Sequence, residues 1–196
     1  MPITTCDHPP SFSTARRRVT ALLVVVTGLV AGSLTAAATA SPPPAPAGRT
    51  AEPGADHDVA TAALAAARAL ADGVPGIAVV APAVVADLGY APVSEGGLAS
   101  RATGVCSSPV PLPGAFEPAC RVHDLGYDLL RVAHRGGAEI PGGLRSDLDA
   151  LLARLWRTSC RDDAPCLAVA ETAAFAVRVN TSRQGHGAPV TEWLPW

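Results

Sequence analysis

The segment from Cys106 to Tyr127, CSSPVPLPGAFEPACRVHDLGY, constrains the fold and chemistry of this chain more than any other. A Pro- and Gly-rich loop separates two cysteines, and a His-Asp pair begins three residues after the second one. In a small exported protein, a disulfide at this spacing would hold the loop against the helix that carries the pair. A neutral imidazole can take a proton from water near pH 7, and a neighbouring carboxylate suits a hard cation such as calcium. The segment therefore predicts calcium-assisted hydrolysis.

The first 40 residues have the pattern of a secretion signal peptide. Arg16, Arg17 and Arg18 form a positive region, an apolar run follows from Val19 to Ala31, and Ala38-Thr39-Ala40 matches a cleavage site. We therefore expect cleavage after Ala40 and a secreted product. The alternative is an uncleaved anchor, because residues 19–40 are long enough to span a bilayer.

Residues 41–56 are rich in Pro, Ala and Gly and have no apolar periodicity, which predicts a disordered spacer. Residues 57–196 remain, roughly 140 residues, enough for one compact domain. Without residues 1–40 the net charge changes from −2 to about −4. This charge provides no basic surface for nucleic acid and no strong attraction to anionic membranes.

Four of the five cysteines remain after export, because Cys6 lies within the predicted signal peptide. Four cysteines in an exported domain predict a disulfide set with three possible connectivities. Proximity in the sequence favours Cys106–Cys120 and Cys160–Cys166. The first pair would close a loop of about 15 residues, worth about 3 kcal/mol in the loop-entropy account. A zinc site is disfavoured, since the spacings form no C-x2-C pair.

The apolar periodicity after residue 57 predicts an all-α domain with two long helices able to pack antiparallel. No alternation is long enough for a β-sheet, and glycines between residues 95 and 106 predict a loop with at most one turn of helix. Residues 77–88 are apolar, but Pro82 interrupts them and favours a kinked or broken helix or, alternatively, a strand. The long helices are predicted at Asp58–Ala71 (N-cap Asp56 or Asp58), Pro118–Ala133, Leu144–Ser159 and Pro165–Val179.

His123 is the leading candidate for a general base. A lone His on an apolar helix face is more often a core residue, but His123 shares its face with Tyr127. Asp149 interrupts a run of leucines, where a carboxylate is costly unless it is paired. If the two long helices pack antiparallel, Asp149 can reach the imidazole and fix its tautomer. The alternative is that Asp149 is a solvated charge beside Asp147.

These residues carry a family resemblance. The pattern Cys106-x-x-Pro, then Pro111-x-Pro-Gly-x-Phe116-x-Pro118-Ala-Cys120-x-x-His123-Asp124-x-Gly126-Tyr127 resembles the small secreted phospholipase A2 family of bacteria and fungi. That family is all-α, calcium-dependent and held by two disulfides, and it cleaves the sn-2 ester of glycerophospholipids. The resemblance covers residues from about 100 to 179, including the spacing from Asp149 to Cys160.

The resemblance implies a role for each matching residue. His123 would deprotonate the attacking water, Asp149 would orient it, and Tyr127 would support the pair. Asp124 and the backbone carbonyl of Val105 would bind calcium, which would hold the substrate phosphate and polarise the ester. The chain contains no G-x-S-x-G motif for an acyl-enzyme route. The expected partner is the surface of a phospholipid membrane or micelle, and the expected oligomeric state is a monomer.

One position departs from the family pattern. Gly104 stands where the family usually supplies a second calcium carboxylate, so calcium binding is expected to be weak, or Asp87 or Glu95 would have to substitute. We expect Gly104→Asp to raise calcium affinity if the site is otherwise intact. The resulting alternative is a catalytically weak or inactive relative that binds lipid or protein. A third interpretation, a membrane-anchored structural protein, depends on an uncleaved N-terminus. His134 and His186 are predicted to be solvated loop residues.

Overall fold

The computed structural model describes residues 53–190, and the predicted signal peptide and most of the predicted spacer lie outside them. Within this range the chain is mostly helical and contains two disulfides, as predicted. The helices are α1 (Pro53–Ala71), α2 (Pro82–Leu88), α3 (Glu117–Arg135), α4 (Leu144–Cys160) and α5 (Ala164–Arg183). The strands are β1 (Val93–Glu95) and β2 (Leu98–Ser100), and short 3-10 turns occupy Ile77–Val79 and Gly114–Phe116.

Helix α1 begins five residues before its predicted start. Residues 53–56 therefore belong to the helix rather than to the spacer, and the predicted N-caps Asp56 and Asp58 both lie inside it. A proline is tolerated in the first turn because its missing N–H has no intrahelical partner there. The buried alanines of α1 allow close packing against α3, where Gly136 follows the last turn.

The segment before the first cysteine differs in part from its prediction. Pro82 begins α2 after a separate 3-10 turn, which agrees with the broken-helix alternative. The prediction of no β-sheet was wrong, because β1 and β2 form an antiparallel hairpin with Val93 opposite Ser100. Gly96 and Gly97 form its two-residue turn and both have positive φ, which suits a hairpin connection. All of β2 is buried and packs against α3.

Helices α3 and α4 pack antiparallel. The indole N–H of Trp156 donates to the carbonyl oxygen of Phe116 at one end of the pair, whereas Arg145 contacts Tyr127 at the other. Between these contacts Gly126 faces Leu148, and a Cβ on this glycine would lie 2.7 Å from Leu148 Cδ2. The glycine therefore permits a close approach of the two helices at the level of the candidate site.

Two groups of buried side chains form the interior. The first core lies between α1, α2, β2, α3 and α4, and includes Ala63, Leu70, Val84, Leu98, Leu125, Leu129 and Leu148. The second core joins the start of α3 to α4 and α5, and includes Phe116, Cys120, Leu152, Trp156, Cys160, Ala170 and Ala174. Within residues 53–190 no helix is both long and apolar enough to cross a bilayer.

The predicted disulfide connectivity is confirmed. Cys106 pairs with Cys120 and Cys160 pairs with Cys166, with Cα–Cα distances of 5.2 and 5.4 Å that are normal for disulfides. The first bridge ties the loop after β2 to the first turns of α3. The second joins the end of α4 to the start of α5 and so constrains the turn between these two helices.

Candidate functional site

The centre of the candidate site is a hydrogen bond between His123 on α3 and Asp149 on α4. His123 Nε2 lies 2.9 Å from Asp149 Oδ1, and the side chains are 10% and 1% exposed. The alternative that Asp149 is a solvated charge beside Asp147 is therefore wrong. Because a carboxylate oxygen can only accept, the proton of a neutral imidazole belongs on Nε2, which leaves Nδ1 as the acceptor nitrogen.

Three donors hold the Asp149 carboxylate. Besides the imidazole, the Tyr127 hydroxyl donates to Oδ1 over 2.7 Å and the Thr181 hydroxyl donates to Oδ2 over 2.6 Å. Burial by itself raises the pKa of Asp149, but the hydrogen bonds from His123, Thr181 and Tyr127 outweigh it and lower the pKa below its ordinary value. Asp149 is therefore an ionised carboxylate held in one orientation against the imidazole.

Two residues of this network escaped sequence prediction. Thr181 lies near the end of α5 and is 1% exposed, so it reaches Asp149 from a third helix. Arg145 is fully buried, and its Nε donates to the Tyr127 hydroxyl over 3.2 Å while its guanidinium carbon lies 4.9 Å from the Tyr127 ring centroid. Neither residue type is diagnostic of a site, and only the α3–α4–α5 packing brings them to Asp149.

Arg145 also ties the chain after α5 to the site. Its Nη1 donates to the carbonyl oxygen of Gly187 over 3.2 Å, whereas Nη2 has no hydrogen-bond partner within residues 53–190.

The pKa of Tyr127 is raised to about 12, chiefly by burial and then by the Asp149 charge. Tyr127 therefore stays a neutral donor to Asp149 throughout the physiological pH range.

Asp124 has surroundings unlike those of Asp149. Its carboxylate makes no hydrogen bond and no ion pair within residues 53–190, and burial raises its pKa, partly opposed by the charges of His123 and Arg101. A Cβ on Gly104 would lie 3.6 Å from Asp124 Oδ2, so the Gly104-Val105 segment runs beside this carboxylate. A half-buried carboxylate that pairs with no side chain in the described residues, beside the Gly104-Val105 backbone, fits the chemistry of a calcium ligand.

The two residues predicted as substitutes for the missing carboxylate are both ion-paired. Glu95 pairs with Arg121 at 2.6 Å, and Asp87 pairs with Arg135 at 2.9 Å. No group of three or more His, Cys, Asp or Glu side chains is arranged around a metal position in the described part of the chain. Gly104 has φ +131°, where an L-residue is strained, so Gly104→Asp would strain the backbone as well as add charge.

The two remaining histidines lie outside this network. His134 is exposed but belongs to the last turn of α3 rather than to a loop. His186 is exposed in the turn after α5, where its Nδ1 lies 3.1 Å from the Ser146 hydroxyl.

The chain was compared with protein-family models, with curated proteins and with solved structures, and none of the three comparisons returned a match.

Proposed function

We propose that this chain is a secreted, calcium-dependent phospholipase A2 that hydrolyses the sn-2 ester of glycerophospholipids. The observation that carries the proposal is the buried His123–Asp149 pair beside the unpaired carboxylate of Asp124. A base fixed in one tautomer and an adjacent cation ligand are what hydrolysis of an anionic ester requires. The HDxGY segment, which carries the resemblance to the phospholipase A2 family, supports a phospholipid as the ester that is hydrolysed.

The chemistry of the protein residues follows from the tautomer. His123 Nδ1 takes a proton from a water molecule as its oxygen attacks the ester carbonyl, and Asp149 stabilises the imidazolium that forms. The imidazolium then returns the proton to the departing glycerol oxygen, so the products are a fatty acid and a lysophospholipid. Calcium, held by Asp124 and the Val105 carbonyl, would supply positive charge for the substrate phosphate and the ester oxygen.

The surface next to the Gly104-Val105 segment suits a lipid partner. Val105 and Val110 are 65% and 60% exposed, although both are large apolar residues. Together with Leu112 they line a cleft of about 380 Å³ on the loop between Cys106 and Cys120. An apolar loop that continues from the segment beside Asp124 would let the protein rest on a membrane or micelle while His123 meets the ester.

The second candidate function is a lipid- or protein-binding module with little turnover. Gly104 favours it, because a site with one formal charge binds calcium more weakly than the millimolar range typical of extracellular sites. The binding module keeps the disulfides and the apolar loop but does not need calcium at Asp124.

Fatty-acid release from mixed phospholipid vesicles separates the two functions. The disulfide-bonded protein, purified after expression of the full chain, is assayed in millimolar calcium and again with a chelator. We expect calcium-dependent release that His123→Ala nearly abolishes and that His134→Ala, an exposed histidine on the same helix, leaves unchanged. No release at high calcium from folded protein would favour the binding module. Substantial release by His123→Ala would refute the mechanism.

The N-terminus of the purified product provides a separate test of secretion. A mass that corresponds to cleavage after Ala40 would support export, whereas an intact N-terminus in the membrane fraction would favour the anchored alternative.

A further inference from the structure

A cleft between α4 and α5 is chemically different from the His123 site. It has a volume of about 350 Å³ and is lined by Ala150, Ala153, Arg154, Arg157, Arg178 and His186, together with Ser146. The small side chains of Ala150 and Ala153 leave room between the two helices. None of these residues contacts His123 or Asp149 through a side-chain hydrogen bond.

The cleft carries an excess of positive charge. Arg157 forms two hydrogen bonds with Glu171, so its charge is compensated. Arg154 donates to the neutral carbonyl of Ala71 over 3.3 Å, and Arg178 makes no hydrogen bond or ion pair within residues 53–190. The cleft lining includes no carboxylate, and the nearby Glu171, which pairs with Arg157 and also interacts electrostatically with Arg178, offsets one of the three arginine charges, which leaves a net charge of about +2. This concentration of arginines contrasts with the net charge of −2 of the chain.

His186 is held in place at the edge of this cleft. Its backbone φ is +59°, which is uncommon for a residue other than Gly, and its backbone N–H donates to the carbonyl oxygen of Thr181 over 3.0 Å. The contact of its Nδ1 with the Ser146 hydroxyl fixes the ring. The cleft therefore combines exposed guanidinium groups with an oriented imidazole and a hydroxyl.

We propose that this cleft is a binding site for a phosphate monoester. Guanidinium groups bind phosphate through parallel hydrogen bonds, and a monoester carries about two negative charges near pH 7, which matches the net charge of about +2 at the cleft. The volume of about 350 Å³ is at the lower end of the range for small-molecule pockets. The phosphate could belong to a free small molecule or to the head group of a lipid, and the site does not depend on the proposed hydrolytic function.

Two probes test the site and separate the sources of phosphate. Glycerol 3-phosphate is titrated calorimetrically in a low-salt, phosphate-free buffer. Binding to ether-linked phosphatidylcholine vesicles, with and without ether-linked phosphatidic acid, is measured by sedimentation, because ether lipids resist ester hydrolysis. The variants are Arg154→Gln/Arg178→Gln and, as the control, Arg135→Gln, which removes a positive charge from the surface at the end of α3. Thermal unfolding establishes that each variant is folded.

Saturable binding of either probe, weakened about tenfold or more by the double substitution and less than about twofold by Arg135→Gln, would establish the site. Binding of glycerol 3-phosphate would mean that a free, soluble phosphate monoester is enough to occupy the site. Binding to phosphatidic acid vesicles without binding of glycerol 3-phosphate would mean that the ligand is a lipid head group. The proposal is overturned if neither probe binds, or if the control weakens binding as much as the double substitution does. In the latter case the attraction would be non-specific, and it would disappear at high ionic strength.

Discussion

Thr181 provides one of the three hydrogen bonds that orient the Asp149 carboxylate. It is the donor to Asp149 Oδ2 within residues 53–190, so Thr181→Val would leave a buried carboxylate oxygen without a partner. We expect a loss of about 1–3 kcal/mol in the free energy of unfolding. If the proposed mechanism holds, kcat falls about tenfold for each 1.4 kcal/mol of transition-state stabilisation that the substitution removes, and KM changes little. Denaturant titration and vesicle assays measure both effects.

Thr181→Ser is the matched control, because it keeps the hydroxyl and removes only a methyl group. Both stability and kcat should stay close to those of the unsubstituted protein. Equal losses in the Ser and Val variants would mean that packing of the methyl group, rather than the hydrogen bond to Asp149, is what matters.

Asp124 is expected to make the calcium-free fold less stable at neutral pH. Its pKa is raised by burial, so its contribution to stability is fully present below the ordinary aspartate pKa and is lost as pH rises through the higher folded value. Asp124→Asn removes the buried charge and should raise the melting temperature at pH 7 without calcium. Calcium should raise the melting temperature of the unsubstituted protein and not that of the variant.

Asp128, one turn further along α3, serves as the control for this effect. Its carboxylate accepts hydrogen bonds from Tyr90 and Arg131, so Asp128→Asn should lower the melting temperature rather than raise it. A calcium shift that persists in Asp124→Asn would place the cation elsewhere.

At the scale of the elements, the helices were largely predictable and the β-strands were not. Leucines at helical spacing located α4 to within one residue at its end, and Pro118 marked the start of α3. Each β-strand has only three residues, too few to show alternation, so the informative signal was the Gly96-Gly97 pair between them. A two-residue glycine turn is a hairpin signal even where the flanking strands are short.

The site was predictable only where residue types are chemically distinctive. His123 and Asp149 could be paired because a carboxylate among leucines needs a partner and the two helices were expected to be antiparallel. Arg145 lies three residues before a buried leucine, yet an arginine at a helix start ordinarily indicates solvent. Its burial depends on the return of the chain after α5, which places the carbonyl of Gly187 beside it. The periodicity of residues within one helix cannot indicate that the chain after α5 comes back to the start of α4.

The packing of α1 against α3 leads to a prediction about Gly136. A Cβ at this position would lie 2.7 Å from Ala60 Cβ and 2.9 Å from the backbone oxygen of Asp56, so α1 would have to move. We expect Gly136→Ala to lower the free energy of unfolding by about 1–3 kcal/mol, as overpacking does. Denaturant titration measures the loss, with Gly142→Ala as the control because nothing lies within 4 Å of a Cβ there. Unchanged stability of Gly136→Ala would mean that the contact is loosely packed.

At the scale of the whole molecule, the two cores have different supports. The four paired cysteines all lie in or against the second core, whereas no disulfide lies in the first core between α1, α2, β2, α3 and α4. The His123–Asp149 pair depends on both cores, because α3 and α4 contribute to each of them and Thr181, on α5, donates to Asp149. Stability is seldom uniform across such a structure, and the part that relies on crosslinks should open first when they are removed.

Reduction of both disulfides should therefore separate activity from overall helix content. Each bridge is worth about 2–3 kcal/mol in the loop-entropy account, so mild reduction should loosen α5 and the loop of Gly104 and Val105 before the first core unfolds. Hydrogen exchange followed by mass spectrometry should show rapid exchange in α5 while amides in α1 and the middle of α3 stay protected. If the proposed function holds, calcium-dependent fatty-acid release should disappear at the same reductant concentration, although far-ultraviolet circular dichroism retains most of its helical signal. Simultaneous loss of protection in both cores would instead mean that the disulfides stabilise one cooperative unit, in which the His123–Asp149 pair is no more sensitive to reduction than the rest of the fold.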